Sequence, residues 1–143
     1  MTAGNGKTGG RASDTGWDEL LRLARAARLA AIAPFSGYRV GAALEAEDGT
    51  VYTGCNIENA SFGLTMCAER VALLKALSEG ARGFRRIAIA ADGPEPPFPC
   101  GACRQFLFEY APGLEVVVDG DGTVRTIEDL LPAGFRLQRP PAR

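Results

Sequence analysis

Two short clusters carry the side chains best suited to chemistry, Cys67-Ala68-Glu69-Arg70 and Pro99-Cys100-Gly101-Ala102-Cys103-Arg104. Each stands where a helical pattern begins. Residues three apart on a helix share a face, so Cys100 and Cys103 can aim at one point, and a third thiolate from Cys67 would make a trigonal base under a metal ion. Three protein ligands leave one tetrahedral position open, as in catalytic zinc sites, whereas structural zinc is normally closed by four. Helix N-termini add unpaired N–H groups and partial positive charge, both of which favour thiolate over thiol. Three thiolates with zinc still carry net negative charge. Arg70 and Arg104, beside the cysteines, are placed to donate to the sulfurs and withdraw some of it. Glu69, two residues from Cys67, can reach the open position without being forced onto the metal and is the natural proton shuttle. Taken alone, the Cys100-x-x-Cys103 pair also suits a redox centre or half a structural zinc knuckle, and the arginines also suit surface ion pairs.

The chain has no histidine. That excludes Ser-His, Cys-His and His-metal schemes and leaves any metal to cysteine or carboxylate. Sixteen basic against 17 acidic residues give a net charge of -1, without the broad basic footprint of a protein that tracks phosphate backbones, so nucleic acid is not an expected partner. Arg22, Arg25 and Arg28 interrupt the longest alanine- and leucine-rich stretch. No membrane partner is expected, and the default compartment is the cytoplasm. There the four cysteines read as metal ligands, reactive thiols or buried small residues rather than as disulfides. Cys55, on a strand, reads as a buried structural thiol rather than a fourth ligand. Gly6-Lys7-Thr8 fails as a phosphate loop, since the required earlier glycine falls at Met1 and no strand precedes it. Asp119-Gly120-Asp121-Gly122 fails as a calcium loop, because Val124 occupies the sharp-turn position and Leu130 the place of the final glutamate.

The elements that must position these clusters follow from periodicity and turn chemistry. With 143 residues and 46% hydrophobic content the chain suits one domain, expected over 16–136 between a flexible tail at 1–15 and a short tail at 137–143. Trp17, Leu20, Leu21, Ala24 and Ala31 predict an amphipathic helix from Trp17 to Ala33, stopped by Pro34. Val40–Ala46 and Val51–Cys55 flank an Asp48-Gly49 turn and predict a hairpin. A helix is expected over Cys67–Glu79 with Val71, Leu74 and Leu77 as its apolar face, ended by Gly80. A buried strand over Ile87–Ala91, a stiff proline loop, a second cysteine-bearing helix over Cys100–Tyr110 and a strand over Leu114–Val118 then make a β-α-β unit. Val124–Thr126 should return antiparallel to that last strand, and Thr126 with Asp129 should cap a short helix reaching Leu131. The layout is an α/β fold with one mixed sheet.

Together these stretches resemble the small homotetrameric, zinc-dependent cytidine deaminases of pyrimidine salvage. The resemblance runs from about Trp17 to Phe135, through Val40-Gly41-Ala42-Ala43-Leu44, Gly54 to Ala60, Cys67 to Arg70, Pro99 to Gln105, Leu130-Leu131-Pro132 and Phe135. Cys-x-Glu with Pro-Cys-x-x-Cys is the known three-cysteine form of the zinc deaminase signature. The resemblance implies a cytidine deaminase-like three-layer α/β/α sandwich on a mixed five-stranded sheet, its last two strands antiparallel. It implies one Zn2+ per chain on Cys67, Cys100 and Cys103, with Glu69 as the catalytic acid-base. Asn56 and Glu58 would hold the ribose 3'-hydroxyl, as alternate residues of an extended segment offering a donor-acceptor amide and an anionic acceptor. Backbone groups at Ala68 and from Ser61 to Thr65 would read the pyrimidine edge. Tyr38 would wall the base where the family usually has phenylalanine, and Phe135 would reach a neighbouring subunit's site. The implied reaction turns cytidine and deoxycytidine into uridine and deoxyuridine with release of ammonia, in a homotetramer. The rival readings are a deaminase of another aminated nucleoside or nucleoside antibiotic, and a zinc-stabilised non-catalytic domain.

Overall fold

Alternation along the strands sorts their side chains onto two faces of one sheet. In the computed structural model, which describes residues 15–137, the chain runs α1 (Thr15–Arg28), β1 (Val40–Ala46), β2 (Val51–Cys55), α2 (Ala68–Ser78), β3 (Phe84–Ala91), α3 (Gly101–Tyr110), β4 (Glu115–Val118), β5 (Arg125–Thr126) and α4 (Ile127–Leu130). The sheet order is β2-β1-β3-β4-β5; β1 is antiparallel to β2 and β3, β3 is parallel to β4, and β4 is antiparallel to β5. Ala42, Leu44, Ile87, Ile89, Val116 and Val118 face α2 and α3, while Ala43, Ala88, Ala90 and Val117 face α1. The result is the expected three-layer α/β/α sandwich with a mixed five-stranded sheet. No helix among the described residues is long and apolar enough to cross a membrane.

The face under α1 is built from small side chains, and the helix lies correspondingly close. A Cβ on Gly41 would collide with the backbone at Ala24 and Arg28. At the edge of this layer Glu45 and Arg86, cross-strand partners in β1 and β3, pair at 2.7 Å, and the Arg86 guanidinium lies 5.1 Å from the Trp17 ring centroid. A buried charge needs such pairing to be tolerated.

Several elements depart from expectation. Helix α1 starts at Thr15, inside the expected tail, and ends at Arg28 rather than Ala33. The chain there loosens into i to i+3 turns because the Ile32 N–H is claimed by the Asn56 carbonyl at 3.0 Å and its carbonyl by the Glu58 N–H at 2.9 Å. Residues 1–14 and 138–143 of the expected tails lie outside the described residues. Strand β3 begins three residues early, at Phe84, and β5 is only Arg125–Thr126. In α2 the face against the sheet is Ala68, Ala72, Leu73 and Ala76 with Glu69, not Val71, Leu74 and Leu77; Leu74 is exposed and Leu77 half-buried. The cause is again close approach, since α2 lies directly on Gly54 of β2. The capping box at Thr126 and Asp129 is present, and Gly49 and Gly80 adopt the positive φ that their turns require.

A Cβ added to Gly54 would stand 2.5 Å from the Ala68 carbonyl oxygen and 2.6 Å from the Ala72 nitrogen, both backbone atoms that cannot swing away. Gly54→Ala should therefore lower the unfolding free energy by about 1–3 kcal/mol. A urea titration reads this as a lower midpoint at unchanged slope; an unchanged midpoint would mean that α2 does not press on β2 as described.

Candidate active site and metal centre

Strand β3 ends in the proline loop and α3, while β2 runs through an extended segment into α2. Both helices lie on one face of the sheet, and their first residues meet. Cys67 is the N-cap of α2 and Cys100 the N-cap of α3, each with extended backbone, and neither side chain caps its own helix. The thiols are thus left to face each other. Cys103, in the first turn of α3, is fully buried. The three Sγ atoms lie within 4.8 Å of one another, with Cys67 and Cys100 at 3.8 Å. Zinc–thiolate bonds of about 2.3 Å in a tetrahedron set sulfurs roughly 3.8 Å apart, so the spacing suits a zinc ion. Cys55 is half-buried in β2 and stands outside this group.

The charges also fit a cation. The Cys103 thiol and the Arg70 guanidinium beside Cys67 hold its thiol well below the usual range, at about 5, against the opposing effect of burial. Cys103, which gives its proton toward that thiolate and is itself buried, is pushed up. Three sulfur donors crowded together are a set whose negative charge a cation would relieve. Of the two arginines, Arg70 donates from Nη2 to the Cys67 sulfur at 3.6 Å and to the Thr65 carbonyl at 3.3 Å. Arg104 does not make the expected contact to sulfur. Its Nε donates to the Pro99 carbonyl at 2.7 Å and its Nη1 to the Leu130 carbonyl at 2.8 Å, so it anchors the Cys100 loop to the end of α4.

Glu69 follows on the first turn of α2 and is only 4% exposed. Burial, reinforced by the negative charge on Cys67, raises its carboxyl to about 7. It shares a cavity of about 250 Å³ with Cys67, Cys100, Ala68, Asn56 and Tyr38. A larger groove of about 560 Å³, between Leu77, Tyr110 and Arg136, contains none of these groups. The donor set, not the size of the hollow, locates the chemistry.

The remaining expected residues divide. Asn56 lies in the Glu69 cavity, its Oδ1 accepting from the Val40 N–H at 2.8 Å and its Nδ2 donating to the Tyr38 carbonyl at 2.9 Å. Glu58 opens instead into an adjoining concavity with Phe35, Ser36 and Phe62, and Thr65 borders both hollows. The Glu58 carboxylate accepts from the Ser36 hydroxyl and from the N–H groups of Phe35 and Ser36, which hold it below the usual carboxylate range. Burial, then the charges of Asp92, Glu69 and Glu95, push the Tyr38 phenol up. The Phe135 ring is exposed, outside this cavity, and its carbonyl accepts from Gln105 Nε2 at 3.2 Å. Sequence reasoning missed Phe98, Pro97 and Val40 as lining residues. For Phe98 one signal was available: it stands two positions before Cys100, within about 7 Å of it along the chain.

Comparison with known proteins agrees with this geometry. The family model described as the cytidine and deoxycytidylate deaminase zinc-binding region matches residues 16–118. The cytidine deaminase of Halalkalibacterium halodurans is 49% identical over 120 residues, covering 81% of this chain and 91% of that protein. That of Sporosarcina psychrophila is 46% identical over 122 residues, covering 82% and 90%. Among solved structures, the cytidine deaminase of Burkholderia pseudomallei superposes with a TM-score of 0.77 at 48% identity, covering 82% of this chain and 98% of that one. The Mycobacterium tuberculosis enzyme gives 0.79 at 38% identity, covering 87% and 100%. With more than half of its length matched by the family model, and with close relatives spanned nearly end to end, the chain belongs to the cytidine and deoxycytidylate deaminase zinc-binding family.

Proposed function

We propose that this chain hydrolyses the 4-amino group of cytidine and deoxycytidine, giving uridine or deoxyuridine and ammonia in pyrimidine salvage. One observation carries the reading: a buried carboxyl, Glu69, lines one cavity with Cys67 and Cys100 of a three-thiol metal site that leaves a fourth ligand position free. A non-catalytic zinc domain has no use for that glutamate. Cys67, Cys100 and Cys103 would hold one Zn2+, which when bound supplies the Lewis acidity that ionises water at neutral pH. Glu69 takes the proton of the attacking water and delivers protons to N3 and to the departing amine, so that water in and ammonia out balance the reaction. Arg70 tempers the charge on Cys67. The Ala68 backbone would meet the pyrimidine edge, Tyr38 would flank the ring, and Asn56 with Glu58 would take the 3'-hydroxyl across the Thr65 border.

Residues 16–136 form the catalytic unit in this reading, in a cytoplasmic homotetramer that binds neither nucleic acid nor membrane. Phe62, 76% exposed and lining the hollow beside Glu58, and Leu64, 67% exposed, support assembly, because large exposed apolar groups mark contact surfaces. Phe135, 64% exposed, would then extend toward a neighbouring subunit's cavity.

Elemental analysis should find one zinc per chain, and Cys100→Ala should lose it and some thermal stability with it, since metal binding at such a site contributes to folding. Undiminished zinc in that variant would remove Cys100 from the ligand set. Glu69→Gln should keep zinc and fold while losing at least about a hundredfold in turnover. Near-normal turnover by the glutamine variant would eliminate the proton role. Cytidine and deoxycytidine should both react, whereas 3'-deoxycytidine should fall in kcat/KM by up to roughly ten-thousandfold, because polar groups built for the hydroxyl are left unpaired. Equal efficiency on 3'-deoxycytidine, or faster reaction on single-stranded DNA, would sink the sugar assignment.

A further inference from the structure

The loop that delivers Cys100 is held from outside by a part of the fold with no assigned role. Phe98 lines the Glu69 cavity and is 40% exposed, yet it does not hang freely there. The Arg125 guanidinium lies over its ring, 5.0 Å from the centroid. Arg125 is fixed in turn by Asp121, whose carboxylate accepts from its Nη1 at 2.8 Å and from the Thr123 N–H at 3.0 Å. A Cβ on Gly120 in the same turn would make ordinary contact with Pro96 at 3.9 Å, so the β4–β5 turn packs directly against the proline loop. The Phe98 N–H closes a tight turn on the Pro96 carbonyl at 3.0 Å, and Pro97 removes a rotatable φ between them. An aromatic ring at a cavity wall is thus presented on a stiff tract and braced by a cation.

We propose that Phe98, braced by Arg125, is the wall against which the flat face of the pyrimidine packs, and so sets how tightly this site holds a nucleobase. The assignment deepens the deaminase reading and rests on it. It concerns the base rather than the sugar because Phe98 stands two residues from the ligand Cys100, where the reacting end of the base must lie, whereas Glu58 opens into the adjoining hollow beyond Thr65. A ring held in place beforehand loses little freedom when the base arrives, so most of its stacking reaches affinity. Arg125 is a positioning residue in this scheme and touches no substrate.

The test is steady-state deamination of cytidine by the zinc-loaded full chain, with calorimetric binding of uridine as a second readout. Phe98→Ala should raise KM roughly tenfold, as expected for removing one base–aromatic stack, with the loss in KM rather than kcat, and Phe98→Tyr should restore it. Arg125→Gln should raise KM roughly threefold, the scale of a lost cation–π contact, and the double variant should be no worse than Phe98→Ala because Arg125 acts through the ring. The uridine Kd should follow KM in each variant. An unchanged KM in Phe98→Ala overturns the proposal. So does a loss of zinc or kcat with KM unchanged, since the ring would then only support the Cys100 loop. A wild-type chain inert on cytidine that still binds uridine through Phe98 defeats the deaminase reading and keeps the wall. An active chain indifferent to Phe98 does the reverse, and a chain that neither reacts with cytidine nor binds uridine removes both.

Discussion

Helix α2 rests on β2 with backbone against backbone, and nearly everything about the site depends on that contact. Where Gly54 lacks a side chain, the Ala68 carbonyl and the Ala72 nitrogen occupy the space a Cβ would fill. The helix is therefore held closer to the sheet than large side chains would permit, and its first turn, with Cys67 and Glu69, is set beside the N-terminus of α3. Close packing of this kind transmits small changes instead of absorbing them. Alanine at 68 and 72 suits this interface, because their backbone atoms already fill the space over Gly54 and a larger group there would lift the helix that carries Cys67.

The sulfur cluster shows a second constraint, electrical instead of steric. Sulfurs within 4.8 Å cannot all be thiolates without a counter-charge, and the protein provides only part of it through Arg70 and the helix N-termini. That shortfall is useful. A site fully neutralised by arginines would compete with a metal, whereas a partly neutralised one draws in zinc and still spreads some of the negative charge that would oppose ionisation of water.

The features legible in the sequence were those decided within a few residues. The Asp48-Gly49 hairpin, the bounds of β1 and β2, the box at Thr126 and Asp129 and the cysteine pair on α3 each depend on neighbours along the chain, and the structure has them where local chemistry put them. The misses depend on distant partners. Ile32 leaves the helix because Asn56 and Glu58 claim its backbone. The buried face of α2 was misassigned because hydrophobicity favours Val71, Leu74 and Leu77, while a helix pressed onto glycine selects for smallness. Arg104 looked like a partner for sulfur from its position next to Cys103, but the carbonyls it reaches are brought there by the fold. Phe98 gained a role only when the β4–β5 turn folded over the proline loop.

The bond from Arg104 to the Leu130 carbonyl also bears on the order of events during synthesis. It spans 26 residues and joins the loop carrying a metal ligand to the last helix of the described chain. A nascent chain that has emerged only as far as Cys103 possesses all three sulfurs but lacks the clasp that fixes the Pro99 carbonyl. Contacts of long sequence separation form late, because loop closure must precede any gain from them. The Cys100 loop therefore gains this anchor only after the chain through Leu130 has emerged and α4 has docked, so the setting of one metal ligand waits on a segment made well after it.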